Sequence, residues 1–169
     1  MLLGISVGQE GLWLYPLALG GISILASVIG TLFTWVGSGP NAIINALYRS
    51  VIIATGLSAL GFIPVTMAYD GGEFDFWNLY GSALIGLGVT FLLVAITEFY
   101  TGTRWNPVKQ IARASQTGHA TNIIAGLAVG MQATALPVVV IATGIVGSYY
   151  AAGENLYGIG VAVMPSTRL

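Results

Sequence analysis

The sequence predicts an all-α fold: polytopic transmembrane helices, with four complete spans and the start of a fifth. Three observations predict it. Hydrophobic residues make up 56% of the 169-residue chain and charged residues only 7%. Soluble domains carry roughly 25% charged residues, and a soluble protein of this size could not hide so much apolar surface. The apolar residues gather in runs long enough to cross a hydrocarbon core of roughly 30 Å. Aromatic residues bracket several of these runs, as expected where helix ends meet the membrane interfaces.

The first span covers about 12–36. Trp13 and Tyr15 mark one end and Trp35 the other. The separation of the two tryptophans corresponds to roughly 33 Å of helix, which suits a bilayer core. The second span covers about 43–69, with Pro64 near its end. The third covers about 77–100 and is again bracketed by aromatics, Trp77 and Tyr100. The fourth, about 120–150, is the longest, roughly 45 Å if straight. It must tilt, kink or project beyond the bilayer. Pro137 is the expected kink, because proline removes one backbone donor and clashes with the preceding turn. A partial fifth span covers 156–163. Strands fit poorly, since the runs are too long for barrel strands and lack period-2 alternation.

The 24 glycines suit membrane helices, where small residues let backbones approach closely. Two patterns stand out as helix-packing faces. Ala26 and Gly30 form a small-residue stripe in the first span. Gly126 and Gly130 form a GxxxG pattern in the fourth, with Thr134 four residues further on. Each pattern alone is common; together they predict tight helix–helix faces.

Charge sets the expected orientation. Asp70, Glu73 and Asp75 lie between spans two and three, without Lys or Arg. Arg104, Lys109 and Arg113 lie between spans three and four and are most of the five basic residues. The positive-inside rule places that loop in the cytoplasm and the acidic loop outside. Both ends of the chain then fall outside, and the turn at 37–41 falls inside. Arg49 sits near the cytoplasmic end of span two, where its long side chain can snorkel to the interface. The acidic loop reads as a solvated segment.

The basic loop is more than a tether. Asn106 reads as a helix cap and Pro107 as the first helical position. Val108, Ile111, Ala112 and Ser115 follow at spacings of three and four, with Lys109 and Arg113 on another face. This predicts a cytoplasmic amphipathic helix at about 107–116. It should end at Thr117-Gly118, where glycine can take a left-handed conformation. Such a helix could tune the field near an anionic substrate; fixing topology is the simpler role.

The residues also exclude chemistry. The formal net charge is -1, so no basic field points to nucleic acid. There is no cysteine and one histidine, which removes disulfides, thiolate metal sites and a zinc cluster. No GxxxxGK[ST] phosphate loop is present. Residues 1–9 carry no positive charge and Glu10 follows, unlike a cleavable signal. Either the first span is its own insertion signal, or Met1 is not the true start.

Glu98 is the one acid within a span. It reads either as an ion-relay group, since intramembrane acids are costly, or as an interfacial residue paired with Arg104, Arg113 or another helix. His119 could titrate near neutral pH but sits at a helix start, where an interfacial hydrogen-bonding role is the simpler reading. Thr121 and Asn122 suit capping or interhelical hydrogen bonding.

The stretch from Ala114 to Val138, ASQTGHATNIIAGLAVGMQATALPV, starts polar and passes into a glycine-dotted helix pattern. With Ile96-Thr97-Glu98-Phe99-Tyr100-Thr101 before it, it resembles the membrane-bound, ion-pumping inorganic pyrophosphatases. Phe99 stands where a tyrosine is common in that family. The match runs from about Ile96 to Tyr150. Gly21-Ile-Ser-Ile-Leu-Ala-Ser-Val-Ile-Gly-Thr31 is a looser one, and Leu156-Tyr157-Gly158-Ile159 resembles the start of the next family helix. After Val163 the sequence departs, and its last residues read as no helix continuation.

The resemblance implies a fragment of a larger helical bundle that couples Mg2+-pyrophosphate hydrolysis to translocation of protons in preference to sodium. The family's aspartate-rich motifs, which hold Mg2+ and pyrophosphate on inner helices, are absent from this chain. No catalytic, metal-binding or cofactor-binding residue is therefore carried over. The segment resembles outer helices, so it is expected to be scaffold and inactive alone. The family's ion gate also belongs to inner helices, which favours the interfacial reading of Glu98. Mg2+ would sit elsewhere in the complete protein, and potassium dependence is left open. The implied partners are the lipid bilayer, the rest of the pump's helices, pyrophosphate bound elsewhere and a second copy in a homodimer. The implied location is a multi-pass protein of the bacterial inner membrane. A truncated gene, a frameshift or an incomplete sequence would each give such a middle piece. Two other readings stand beside it: a small four-helix membrane assembly subunit, and, ranked lower, a piece of a secondary transporter. The transporter would need internal repeats that spans one to four do not obviously show.

Overall fold

The computed structural model of the protein describes residues 14–33, 42–68 and 75–166. Among them the secondary structure is helical, without a strand. α1 spans Tyr15–Leu32, α2 Ala42–Ala68, α3 Phe76–Thr101, α4 Asn106–Ser115, α5 His119–Ala151 and α6 Tyr157–Ser166. α1, α2, α3 and α5 are each long and apolar enough to cross a membrane. The chain is an integral membrane protein. Trp13, Trp35, the turn at 37–41, Tyr69, Asp70 and Glu73 lie outside the described residues, as do residues 1–9 and 167–169.

Local chemistry explains the helix ends. Pro16 lies in the first turn of α1, where its missing N–H would have no helical partner anyway. The Asp75 carbonyl accepts from the Asn78 and Leu79 amides at 3.0 and 3.3 Å and opens α3. Gly118, with φ +147°, separates α4 from α5. Between α5 and α6, Gly153 and Glu154 take φ +70° and +62°, a left-handed pair that reverses the chain. Asn155 Oδ1 then accepts from the Tyr157 amide at 3.0 Å and satisfies one of the free donors at the start of α6. Pro64 and Pro137 both lie inside their helices.

Two expectations need correcting. Trp105, in an extended conformation, is the cap residue of α4; Asn106 is already helical and makes no side-chain cap bond. Pro107 still falls in the first turn, so the helix loses no bond by starting one residue earlier. The last residues also continue as helix: α6 runs through Pro165 to Ser166. Pro165 removes one helical bond, the one its N–H would make to the Val161 carbonyl, without breaking the helix before Ser166.

The described residues of Met1–Thr90 and Gly144–Leu169 form one compact unit, and those of Phe91–Thr143 another. The core of the first unit is built from Tyr15 and Leu19 of α1, Phe62 of α2, Leu79, Ala83 and Leu87 of α3, and Tyr157 and Val161 of α6. Small residues let these helices close. A Cβ on Gly86 would run into the Ala162 carbonyl oxygen, with the carbonyl carbon 2.9 Å away. A Cβ on Gly158 would run into Ala152 Cβ and lie 2.6 Å from the Ser148 carbonyl oxygen. In lipid the helices gain little from the hydrophobic effect, so such close packing and interhelical hydrogen bonds hold them together.

The buried polar side chains follow the same logic. The Thr66 hydroxyl donates to the Phe62 carbonyl at 2.7 Å. The Tyr15 hydroxyl therefore donates to Thr66 Oγ1, at 2.9 Å, and ties α1 to α2. Ser82 Oγ donates to the Asn78 carbonyl at 2.9 Å and leans toward the Ser148 carbonyl of α5 at 3.3 Å. Ser23 and Thr90 turn inward onto the carbonyls of Leu19 and Gly86. A hydroxyl folded onto its own helix can be buried in an apolar layer without an unsatisfied donor.

The second unit contains the end of α3, all of α4 and most of α5. Little of it is buried. Ile123 and Met131 of α5 are each 70% exposed, which only lipid or further apolar protein can cover without cost.

Candidate functional site

The polar residues singled out in the sequence collect in the second unit, at the turn that links α3, α4 and the start of α5. Glu98 lies in the last turn of α3. Its carboxylate folds back toward Gly102, where a Cβ would stand 2.8 Å from Glu98 Oε1, 2.7 Å from the Glu98 carbonyl oxygen and 3.0 Å from Trp105 Cδ1. The Gly102 amide donates to that carbonyl at 2.7 Å. Gly102 is buried and leaves the space that Glu98 and Trp105 occupy. A carboxylate at a helix C-terminus is disfavoured by the helix dipole. Neither Arg104 nor Arg113 forms an ion pair with Glu98.

Phe99 packs on Trp105 with ring centroids 5.2 Å apart, and on Tyr100 at 5.1 Å. α4 follows directly. Its apolar side chains Pro107, Val108, Ile111 and Ala114 are half-buried, while Lys109, Gln110, Ala112 and Arg113 are exposed. The buried and basic faces are opposite each other around the helix. Arg104, in the turn before it, is also exposed.

The α4–α5 junction is held by two threonines. The Thr121 hydroxyl lies 2.8 Å from the Gly118 carbonyl, 3.1 Å from the Ala114 carbonyl and 2.8 Å from Thr117 Oγ1. Thr117 Oγ1 itself donates to the Ala114 carbonyl at 2.8 Å. His119 is exposed at the first position of α5. Asn122 Oδ1 is buried and has no hydrogen-bond partner among the described residues.

The two small-residue stripes have different surroundings. Ala26 and Gly30 are buried in the first unit. A Cβ on Gly30 would lie 2.9 Å from Ala54 Cβ and 3.0 Å from the Ser50 carbonyl oxygen of α2. Gly126 and Gly130 have nothing within 4 Å of the space a Cβ would fill.

Magnesium pyrophosphate needs several oxygen ligands and cations aimed at the phosphate oxygens. No group of three or more His, Asp or Glu side chains occurs among the described residues. Asp75 is exposed at the start of α3; its sequence neighbours Asp70 and Glu73 lie outside the described residues. The described residues therefore do not fit a magnesium pyrophosphate centre. Sequence reading missed Gly102, Gly86, Gly158 and the Tyr15–Thr66 bond. Gly102, which directly follows the Ile96–Thr101 motif, and Gly158, inside the Leu156–Ile159 motif, carried a signal.

The family profile described as "Inorganic H+ pyrophosphatase" matches residues 1–166. A "Pyrophosphate-energized proton pump 2" from Rhizobium leguminosarum bv. trifolii is 45% identical, over 91% of this chain and 74% of that protein. A "Pyrophosphate-energized proton pump" from Anaplasma marginale is 46% identical, over 72% of this chain and 92% of its own length. A "K(+)-insensitive pyrophosphate-energized proton pump 2" from Moorella thermoacetica is 39% identical over 97% of this chain, yet the match covers only 25% of that protein. The profile match through residue 166 corrects the expectation that the sequence departs after Val163.

Proposed function

We propose that this chain, which belongs to the inorganic H+ pyrophosphatase family, supplies outer scaffold helices to a membrane pump that couples pyrophosphate hydrolysis to ion transport. The ion is a proton rather than sodium. The observation that carries this reading is the profile match over residues 1–166, and the names of the relatives support it. Pumps of this kind are hydrolase and translocase at once.

The scaffold role rests on chemistry. The described residues hold no cluster of three potential metal ligands. On this reading Mg2+ and pyrophosphate would bind on other helices of the pump, where magnesium would shield the phosphate charge and polarise its oxygens. Potassium has no assigned place in this segment. Glu98, held beneath Gly102 at a helix end, serves as an interfacial structural residue. Ala26 and Gly30 pack α1 on α2. Gly126 and Gly130 leave α5 with a smooth face for other helices of the pump. The complete assembly is a homodimer in a bacterial inner membrane, with the basic turn at α4 in the cytoplasm.

Phosphate release from magnesium pyrophosphate by the purified 169-residue chain tests the assignment of the chemistry. The expected release is no greater than that of protein-free buffer. Steady turnover abolished by a chelator would place the active site within this chain and overturn the scaffold reading.

A further inference from the structure

We propose that α4 lies along the membrane surface and that Arg104, Lys109 and Arg113 bind the phosphates of anionic phospholipid headgroups. The inference rests on the membrane placement of the chain and stands apart from its catalytic assignment.

Connectivity sets the depth of α4. It joins α3 and α5, both long and apolar enough to cross a membrane, through turns of only a few residues. The helix is thereby kept near the level where its neighbours leave the hydrocarbon. Phe99 and Trp105 mark that level. They are 37% and 45% exposed and in contact with each other, and the amphipathic indole of Trp105 favours the headgroup region.

The charge distribution selects the ligand. Lys109 and Arg113 stand one helical turn apart on the face opposite the half-buried Val108 and Ile111, so protein covers one side of α4 and the cations project from the other. None of the three cations is within ion-pair distance of a described carboxylate. Glu98, the acid nearest in sequence, is turned toward Gly102. Cations at headgroup depth, with no acidic partner in their own unit, complement a surface of phosphate diesters. An anionic leaflet attracts each such cation by about fivefold in binding constant.

The chain contains no cysteine, so Ala112→Cys introduces a single thiol on the exposed flank beside Arg113. The full chain carrying it is placed in nanodiscs of phosphatidylcholine, with or without phosphatidylglycerol, and labelled with a neutral water-soluble maleimide. Phosphatidylglycerol should slow labelling by about 25-fold or more at low salt, as two to three cations at about fivefold each hold α4 against the lipid. About 1 M salt should remove the difference. Lys109→Gln with Arg113→Gln should remove it too, and Lys109→Arg should keep it. Both Gln changes sit on an exposed face, and retained helicity by circular dichroism checks the fold. Equal labelling in the two lipids would overturn the proposal, as would slowing that persists in the double Gln variant. Equal protection by inorganic phosphate in phosphatidylcholine discs would assign the cations to free phosphate and also overturn it.

Discussion

Gly86 has little room for change. The α3 backbone at Gly86 meets the α6 backbone at Ala162 so closely that any side chain must move one of the helices. Because both contacting parts are main chain, rotamer adjustment cannot relieve the clash. Gly86→Ala should destabilise the chain by about 1–3 kcal/mol, the usual cost of overpacking. Thermal unfolding in detergent followed by circular dichroism checks it; an unchanged midpoint would mean that α6 yields freely. The Tyr15–Thr66 bond belongs to the same scale. It joins residues 51 positions apart, and nothing in the local sequence of either helix announces the pairing. Each residue alone reads as an ordinary member of an apolar span. Only the packing of α1 on α2 brings the hydroxyls together, which is why such contacts were illegible while the spans themselves were plain.

At the level of whole helices, the pattern of small residues shows where close approach is possible and not what approaches. Ala26/Gly30 and Gly126/Gly130 have the same spacing. Gly30 meets Ala54 and Ser50 of α2, whereas Gly126 and Gly130 meet open space. Leucine at the two sites should therefore act differently in the isolated chain. Gly30→Leu should lower its melting temperature by several degrees, as a large side chain is forced against a neighbouring helix. Gly126→Leu should leave it within about 0.5 kcal/mol of the parent, the range of changes that touch nothing. Equal losses at both positions would contradict this difference. Helix boundaries show a related limit. Proline at position 107 correctly marked the start of α4 to within one residue, because its fixed φ suits a first turn. The residues after Val163 read as no helix continuation, yet α6 includes Pro165 and one residue beyond it. At 107 the missing N–H falls in the first turn and removes no helical bond, whereas at 165 it removes one and the helix still includes the next residue.

For the molecule as a whole, composition settled the class before any contact was known. A chain 7% charged and 56% hydrophobic needs lipid, and four helices suited to crossing a membrane follow. The family was legible through the polar-to-glycine stretch at the start of α5. Thr117, Gly118 and Thr121 of that stretch turn out to fasten α4 to α5, a structural task for its two threonines. The exposed apolar side chains along α5 fit a segment surrounded by lipid and further helices. The Moorella thermoacetica relative, about four times longer than its aligned region, offers the direct test. Its aligned segment is replaced by residues 1–166 of this chain, and pyrophosphate-driven acidification is recorded in inverted membrane vesicles. If these helices are scaffold for that pump, the chimera should take up protons on pyrophosphate addition, within about tenfold of the parent rate, since packing faces rather than chemistry are exchanged. A chimera that inserts and hydrolyses pyrophosphate but moves no protons would contradict the account and place part of the ion path within this segment.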